Sequence, residues 1–207
     1  MGAPYYVTLL GAGGILAVFL YDTAYWYLAL PLPLAGLFTL YFFRDPPRTI
    51  PQPNEAVVSP ADGTVVAIED LDETPFYDGS CTRISIFLSV FNVHVNRAPQ
   101  SGTIAKIKYK EGAYKNAMKA ESSRVNESNA IWMETENGAM TIRQISGAIA
   151  RRIVCLPKEG DILAKGEKFG MIKFGSRTEL YLPPGTDITV QKGDRVRSGS
   201  SVVARVG

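Results

Sequence analysis

Residues 169–183 read FGMIKFGSRTELYLP. Two runs of strand-forming residues, FGMIKF (169–174) and RTELYLP (177–183), meet at Gly175-Ser176. Glycine inside a strand pattern marks a bulge or a close backbone approach. Because each flanking run can hold a ladder of its own, a chain broken between Gly175 and Ser176 would keep both ends pinned. The other two Gly-Ser pairs are less suited to a break. Gly79-Ser80 lies in the acidic turn FYDGSC, and Gly199-Ser200 lies in a hairpin turn with little chain beyond it.

Outward from this stretch the pattern stays β. GTVVAIE, RISIFLSVF, TIAKIKY, AIWMET, AMTIRQI, AIARRIVCL, DITV and SVVARV alternate with turn residues, and no long 3.6-residue period follows residue 44. A mainly β domain is expected over 56–207. KNAMKAESSRVNESN (115–129) is polar, irregular and read as a loop. A GDxxxxG pattern occurs at 160–166 and again at 193–199, each copy followed by a strand. Such hairpins resemble those of biotinyl and lipoyl carrier domains, so the expected architecture is compact, with hybrid, lipoyl-like hairpins.

The first 43 residues differ sharply. Asp22 is their one charged side chain, while all 22 Lys and Arg and 19 of the 20 acids lie beyond. Uncharged runs cover 5–21 and 23–43, with aromatic clusters at Tyr5-Tyr6, Tyr21 with Tyr25-Trp26-Tyr27, and Tyr41-Phe42-Phe43. Aromatics at such positions suit the headgroup level of a bilayer. With no basic residue ahead of the first run, a cleaved secretory signal is disfavoured. The reading is a membrane anchor over 1–43, a two-helix or re-entrant hairpin because Pro31 and Pro33 interrupt a single span. A proline-rich linker follows over 44–55. Arg44 and Arg48 place the β domain on the cytoplasmic side.

A net charge of +2 without a nucleic-acid motif gives no footprint for DNA or RNA. Cys81 and Cys155, far apart and outside any CxxC pair, read as reduced thiols. A single histidine, His94, excludes a multi-histidine metal centre, and no metal is expected. His94 is the one side chain whose ordinary pKa lies near neutrality, so imidazole chemistry would have to pass through it. In the apolar run SVFNVHVNRAP a single histidine is more often a hydrogen-bonded core residue than a catalyst. Asp62 in SPADGTV fits a β-turn and also fits an aspartate that orients a histidine.

Taken together, FFRDPPR, SPADGTV, FNVHVNRAP, GAIARRIV and FGMIKFGSRTELYLP resemble the short-form phosphatidylserine decarboxylases of bacteria and archaea, over roughly residues 42–183. The resemblance implies that the Gly175–Ser176 bond cleaves itself into chains 1–175 and 176–207 that stay associated. Ser176 would become a covalent pyruvoyl cofactor, and Asp62, His94 and Ser176 would form the maturation triad. It implies a lyase acting on a serine phospholipid, diacyl or archaeal ether, to give the ethanolamine lipid. His94 would be the general acid, and Arg97, Arg151 and Arg152 would be available to the lipid phosphate. The sequence is compatible with a homo-oligomer.

Departures accompany the likeness. Longer members carry Leu-Gly-Ser-Thr where this chain has Phe174-Gly175-Ser176-Arg177, and a second histidine where it has Phe91 and Asn92. Ser128 replaces an expected arginine. Two rivals stand beside this reading. A membrane-tethered serine hydrolase would use the same Asp62, His94 and Ser176 but leave the serine intact. A carrier domain would be modified at Lys119 in NAMKA.

Overall fold

The computed structural model describes residues 3–148, 152–173 and 175–207. It divides into two compact units, Met1–Pro46 and Pro47–Gly207.

The first unit holds α1 (Ala3–Leu20), a 3₁₀ turn (Trp26–Ala29) and α2 (Pro31–Phe42). Pro31 opens α2 where a missing N–H removes no helical bond. The helices meet through glycines: a Cβ on Gly13 would lie 2.5 Å from the Pro33 ring, and one on Gly36 would lie 2.8 Å from Leu10. The expectation of a membrane-crossing hairpin is corrected here. Among the described residues no helix is long and apolar enough to cross a membrane. Pro31 and the 3₁₀ turn leave α2 only 12 residues, about 18 Å at 1.5 Å per residue.

The second unit is mainly β. Its strands are β1 (Ala56–Val58), β2 (Gly63–Leu71), β3 (Cys81–Leu88), β4 (Val95–Arg97), β5 (Gly102–Lys110), β6 (Ser128–Thr135) and β7 (Gly138–Ile145). They continue with β8 (Ile153–Cys155), β9 (Ile162–Leu163), β10 (Lys168–Ile172), β11 (Ser176–Leu182), β12 (Asp187–Ile188), β13 (Arg195–Val196) and β14 (Val202–Arg205). The largest sheet has the order β13-β2-β3-β11-β7-β6-β5-β9; two smaller sheets have the orders β4-β10-β8 and β1-β14-β12. A core of Ile84, Ile86, Leu88, Ile131, Ile142, Phe169, Leu180 and Leu182 packs between them, each fully buried.

The GDxxxxG echo belongs to a larger duplication. Asp194 and Asp161 each cap their own turn, accepting from the Gln191 amide (2.9 Å) and the Lys158 amide (2.7 Å). Gly193 donates to the Val65 carbonyl and Gly160 to the Ile104 carbonyl, both at 2.8 Å. β13 then pairs with β2 and β9 with β5, and β2 and β5 carry a register shift at the same step, Val65/Ala67 and Ile104/Lys106. The sequences are PADGTVVAI (60–68) and PQSGTIAKI (99–107). The Val58 amide donates to Pro99 and the Arg97 amide to Pro60, as an approximate two-fold demands. Asp62 in one half thus corresponds to Ser101 in the other.

The segment read as a loop, 115–129, contains one short helix, α3 (Ser122–Val125), and the start of β6. It is far from a solvated excursion. Ser122, Ser123, Asn126, Glu127, Ser128 and Asn129 are all buried.

Candidate active site at the Gly175–Ser176 bond

β11 lies between β3 and β7, and all seven of its residues are buried. Ser176 opens the strand opposite Leu88. Its hydroxyl is inaccessible and has no hydrogen-bond partner among the described residues. Leaving a buried hydroxyl unmatched costs roughly 1–3 kcal/mol, so such a group calls for a chemical reason.

Gly175, just before it, has φ +62°, a left-handed conformation that glycine adopts without strain. Space is not what requires glycine there, since an added Cβ would meet nothing nearer than Val90 Cγ1 at 3.9 Å. At Gly147 the reason is different. A Cβ there would lie 2.0 Å from the Gly175 carbonyl oxygen and 3.0 Å from its carbon. The backbone of Gly147 thus closes directly on the carbonyl of the Gly175–Ser176 bond.

His94 is fully buried at the start of β4. Its carbonyl accepts from the Ile172 amide at 3.4 Å, and β4 runs antiparallel to β10. That register carries His94 toward the end of β10 from which the chain turns into Gly175. Two residues on, Asn96 donates to Thr178 Oγ1 (3.3 Å) and to the Pro60 carbonyl (3.2 Å). Thr178 in turn is two residues past Ser176 and shares its strand face. His94 and Ser176 thus each stand two residues before a member of the Asn96–Thr178 hydrogen bond. Gln144 completes the brace, donating to Asn96 Oδ1 (2.9 Å) and accepting from Asn129 (3.2 Å).

The His94 ring is oriented by Asn92, whose carbonyl lies 2.9 Å from Nδ1. A carbonyl can only accept, so in the neutral ring Nδ1 bears the proton and Nε2 the basic lone pair. Asn92 is itself fixed: its Oδ1 accepts from the Ser89 amide and hydroxyl, both at 2.8 Å.

Asp62 is not the partner of Nδ1. Its two carboxylate oxygens each accept from Arg48 Nη2 at 2.9 Å, and Oδ1 also accepts from the Ser198 amide at 2.8 Å. The structure therefore sets His94 beside Ile172, three residues before Gly175, and holds Asp62 on Arg48.

Of the arginines expected at a phosphate, Arg97 is buried and donates to the Gly166 carbonyl at 3.0 Å. Arg152 is exposed, and its carbonyl accepts from the Lys173 amide at 3.2 Å. Arg151 lies outside the described residues. Lys119 is exposed in a tight turn, its carbonyl accepting from Ser122, and is not displayed between paired strands as a carrier lysine would be. Among the described residues no cluster of His, Cys, Asp or Glu could hold a metal ion.

On the opposite face of β11, Glu179 is fully buried among three arginines. Arg177 Nε lies 3.0 Å from its carboxylate, Arg143 Nη1 3.4 Å and Arg83 Nη1 4.0 Å. The Tyr181 hydroxyl donates to it at 2.7 Å. Arg143 also donates to Ser128 and stacks 3.9 Å from the Phe76 ring centroid. Burial, with Glu179 beside it, pushes the Tyr181 phenol well above its ordinary range.

Sequence reasoning missed Arg48, Gly147, Asn96 and Gln144. The first three stand inside FFRDPPR, the GAIARRIV motif and FNVHVNRAP, where their neighbours drew the attention. Their partners lie 14, 28 and 82 positions away, beyond any local pattern.

Comparison with known proteins fits this geometry to one class. The family model described as Phosphatidylserine decarboxylase matches residues 35–204, and the chain belongs to that family. Among similar proteins, the phosphatidylserine decarboxylase proenzyme of Carboxydothermus hydrogenoformans is 46% identical over 194 residues, 93% of this chain and 91% of that protein. The proenzymes of Syntrophus aciditrophicus and Solibacter usitatus are 45% and 46% identical, each over 97% of this chain and 93% of their own.

Proposed function

We propose that this protein is a proenzyme that cuts its own Gly175–Ser176 bond and then decarboxylates phosphatidylserine to phosphatidylethanolamine. The observation that carries the reading is the Ser176 hydroxyl: buried, without a hydrogen bond among the described residues, and adjacent to a left-handed glycine whose carbonyl is closed on by Gly147. A hydrolase serine must meet an external ester, whereas this one is sealed against its own peptide bond.

In the maturation step His94 Nε2 takes the Ser176 proton and Oγ adds to the Gly175 carbonyl carbon. Collapse breaks the C–N bond as the imidazolium returns its proton to the Ser176 nitrogen, and leaves Gly175 esterified to Ser176. Loss of the Gly175 carboxylate by elimination gives dehydroalanine at 176, and its hydrolysis releases ammonia and leaves a pyruvoyl terminus. The pocket suits that product, because a ketone needs no donor of its own and replaces a hydroxyl that already has no partner. Once formed, the pyruvoyl group supplies an electron sink for the carbanion left when CO₂ departs. His94, on the same side of the bond, returns a proton to the substrate carbon. Asp62, paired with Arg48 and accepting from the Ser198 amide, fixes the turn that faces Asn92 across the cleft and takes no proton in this scheme.

The two product chains stay together. Chain 176–207 keeps β11 between β3 and β7, β13 on β2, and β14 on β1.

The helical unit is the membrane contact. Val7, Ile15, Val18, Phe19, Leu34 and Leu37 are all more than half exposed on it. At about 27 Å for α1 and 18 Å for α2, against ~30 Å of hydrocarbon, the unit fits a shallow or re-entrant anchor. Arg44 at its end suits the cytoplasmic leaflet. The test is release of labelled CO₂ from carboxyl-labelled phosphatidylserine in mixed micelles. Activity in the purified chain, lost in Ser176→Ala and His94→Ala, is expected; turnover retained by uncleaved Ser176→Ala protein would overturn the reading.

A further inference from the structure

The duplication provides an internal control. Features that the scaffold needs occur in both halves: the left-handed glycines (Gly160 and Gly193, Gly166 and Gly199), the capping aspartates, and Gly63 and Gly102 opposite a neighbouring carbonyl. Even the anchoring of the next turn is shared, since the Ser198 amide donates to Asp62 as the Lys165 amide donates to Ser101. What differs is not required by folding. Where the Ser101 half has Ile162 and Ala164, the Asp62 half has Arg195 and Arg197.

Both arginines line a cleft of about 760 Å³ with Asp62, Thr64, Ser89 and Asn92. Both are exposed, and neither guanidinium forms an ion pair or hydrogen bond among the described residues. The Asp62 charge is already matched by Arg48, so the cleft is left cationic. One wall is the turn 89–92, whose Val90 approaches Gly175 and whose Asn92 orients His94. The equivalent cleft in the other half, about 390 Å³, carries Glu134 and Glu136 with a single cation, Lys165, whose ammonium donates to the Pro53 carbonyl, and so is not cationic.

We propose that Arg195 and Arg197 form the subsite for the substrate's phosphodiester. The inference rests on the decarboxylase reading for the substrate's identity and extends it to named residues. A serine phospholipid presents two anions, and physical chemistry selects between them. A guanidinium on the carboxylate would stabilise the ground state and lose its partner as CO₂ leaves, which raises the barrier. A guanidinium on the phosphodiester meets the same charge throughout and strengthens binding without hindering the chemical step.

Glycerophosphoethanolamine, a soluble headgroup that keeps the phosphodiester and lacks the carboxylate, is the direct probe. Calorimetry on the full chain should show binding, weakened at least about tenfold in Arg195→Gln/Arg197→Gln and partly in each single variant. Arg152→Gln should stay within about twofold, and inorganic phosphate should bind far more weakly than the headgroup. In turnover, the double variant should raise KM for phosphatidylserine and for soluble glycerophosphoserine, with kcat little changed. Equal affinity in the double variant, no binding by the wild type, or a loss that follows Arg152 instead would overturn the proposal. So would a KM effect confined to vesicles and absent with glycerophosphoserine, which would make the arginines a membrane-adsorption surface. Headgroup binding that depends on Arg195 and Arg197 in a chain that never releases CO₂ would instead sink the decarboxylase reading and leave the subsite standing.

Discussion

The Cα of Gly147 faces the carbonyl of Gly175 so closely that a methyl group on it would lie 2.0 Å from the carbonyl oxygen. Gly147 has no left-handed φ to maintain, so Gly147→Ala tests proximity and not backbone strain. An alanine must push the Gly175–Ser176 bond aside or tilt β7. A displacement near 1 Å costs on the order of a hundredfold in a positioned reaction. Gly147→Ala should therefore slow self-cleavage by about that factor, read as precursor persisting on a denaturing gel.

Asn96 ties the Asp62 turn, β4, β7 and β11 together by three side-chain hydrogen bonds. Asn96→Leu takes one hydrogen bond each from Thr178, Gln144 and the Pro60 carbonyl, the last of which keeps the Arg97 amide. We expect a loss of about 2–4 kcal/mol, on the scale of one to three kcal/mol for each unmatched buried group, in urea unfolding. Cleavage should slow as well, because the Asn96–Thr178 bond joins the segments that carry His94 and Ser176.

The buried carboxylate of Glu179 balances Arg143, Arg177 and Arg83. Glu179→Gln strands these cations in the interior and should destabilise the chain by about 3–5 kcal/mol, measured by denaturant midpoint. Glu179→Gln combined with Arg143→Met should recover part of that loss, because the variant also removes a buried charge.

Tyr181 predicts an alkaline limit. Its folded pKa is raised by burial and by Glu179, so above the unfolded value of about 10 the unfolded chain holds fewer protons than the folded one. The stability it confers is complete below about pH 10 and is lost as pH rises through the folded pKa. Between pH 9 and pH 11 the wild type should lose more unfolding free energy than Tyr181→Phe does. Equal slopes for the two proteins would contradict this assignment.

How much of this was legible in the sequence depends on range. The strands flanking Gly175 and Ser176 show their period locally, and β10 and β11 follow it. The aromatic, uncharged start shows its composition, but its helix lengths hinge on Pro31 and the 3₁₀ turn, which set α2 at 12 residues. The duplication was half visible. GDILAKG and GDRVRSG share their Gly-Asp start and closing glycine, while PADGTVVAI and PQSGTIAKI share proline, glycine, threonine and isoleucine without a motif that draws the eye. Segment 115–129 looked like a solvated loop because its residues are polar. Its burial follows from partners on other strands, as in the Arg143 guanidinium on Ser123 and Ser128. The replacement of the expected Asp62–His94 contact by Arg48–Asp62 and Asn92–His94 is a matter of side-chain geometry that no spacing encodes.

The central claim is that Ser176 severs the bond before it, and intact-mass spectrometry of the purified wild type under denaturing conditions tests it most directly. The account predicts two polypeptides, 1–175 and 176–207, the smaller one starting in a pyruvoyl group and resisting amine labelling, with Ser176→Ala a single unbroken chain. A wild type of full mass that decarboxylates phosphatidylserine, or a fragment 176–207 beginning in an unmodified serine in active enzyme, would contradict it.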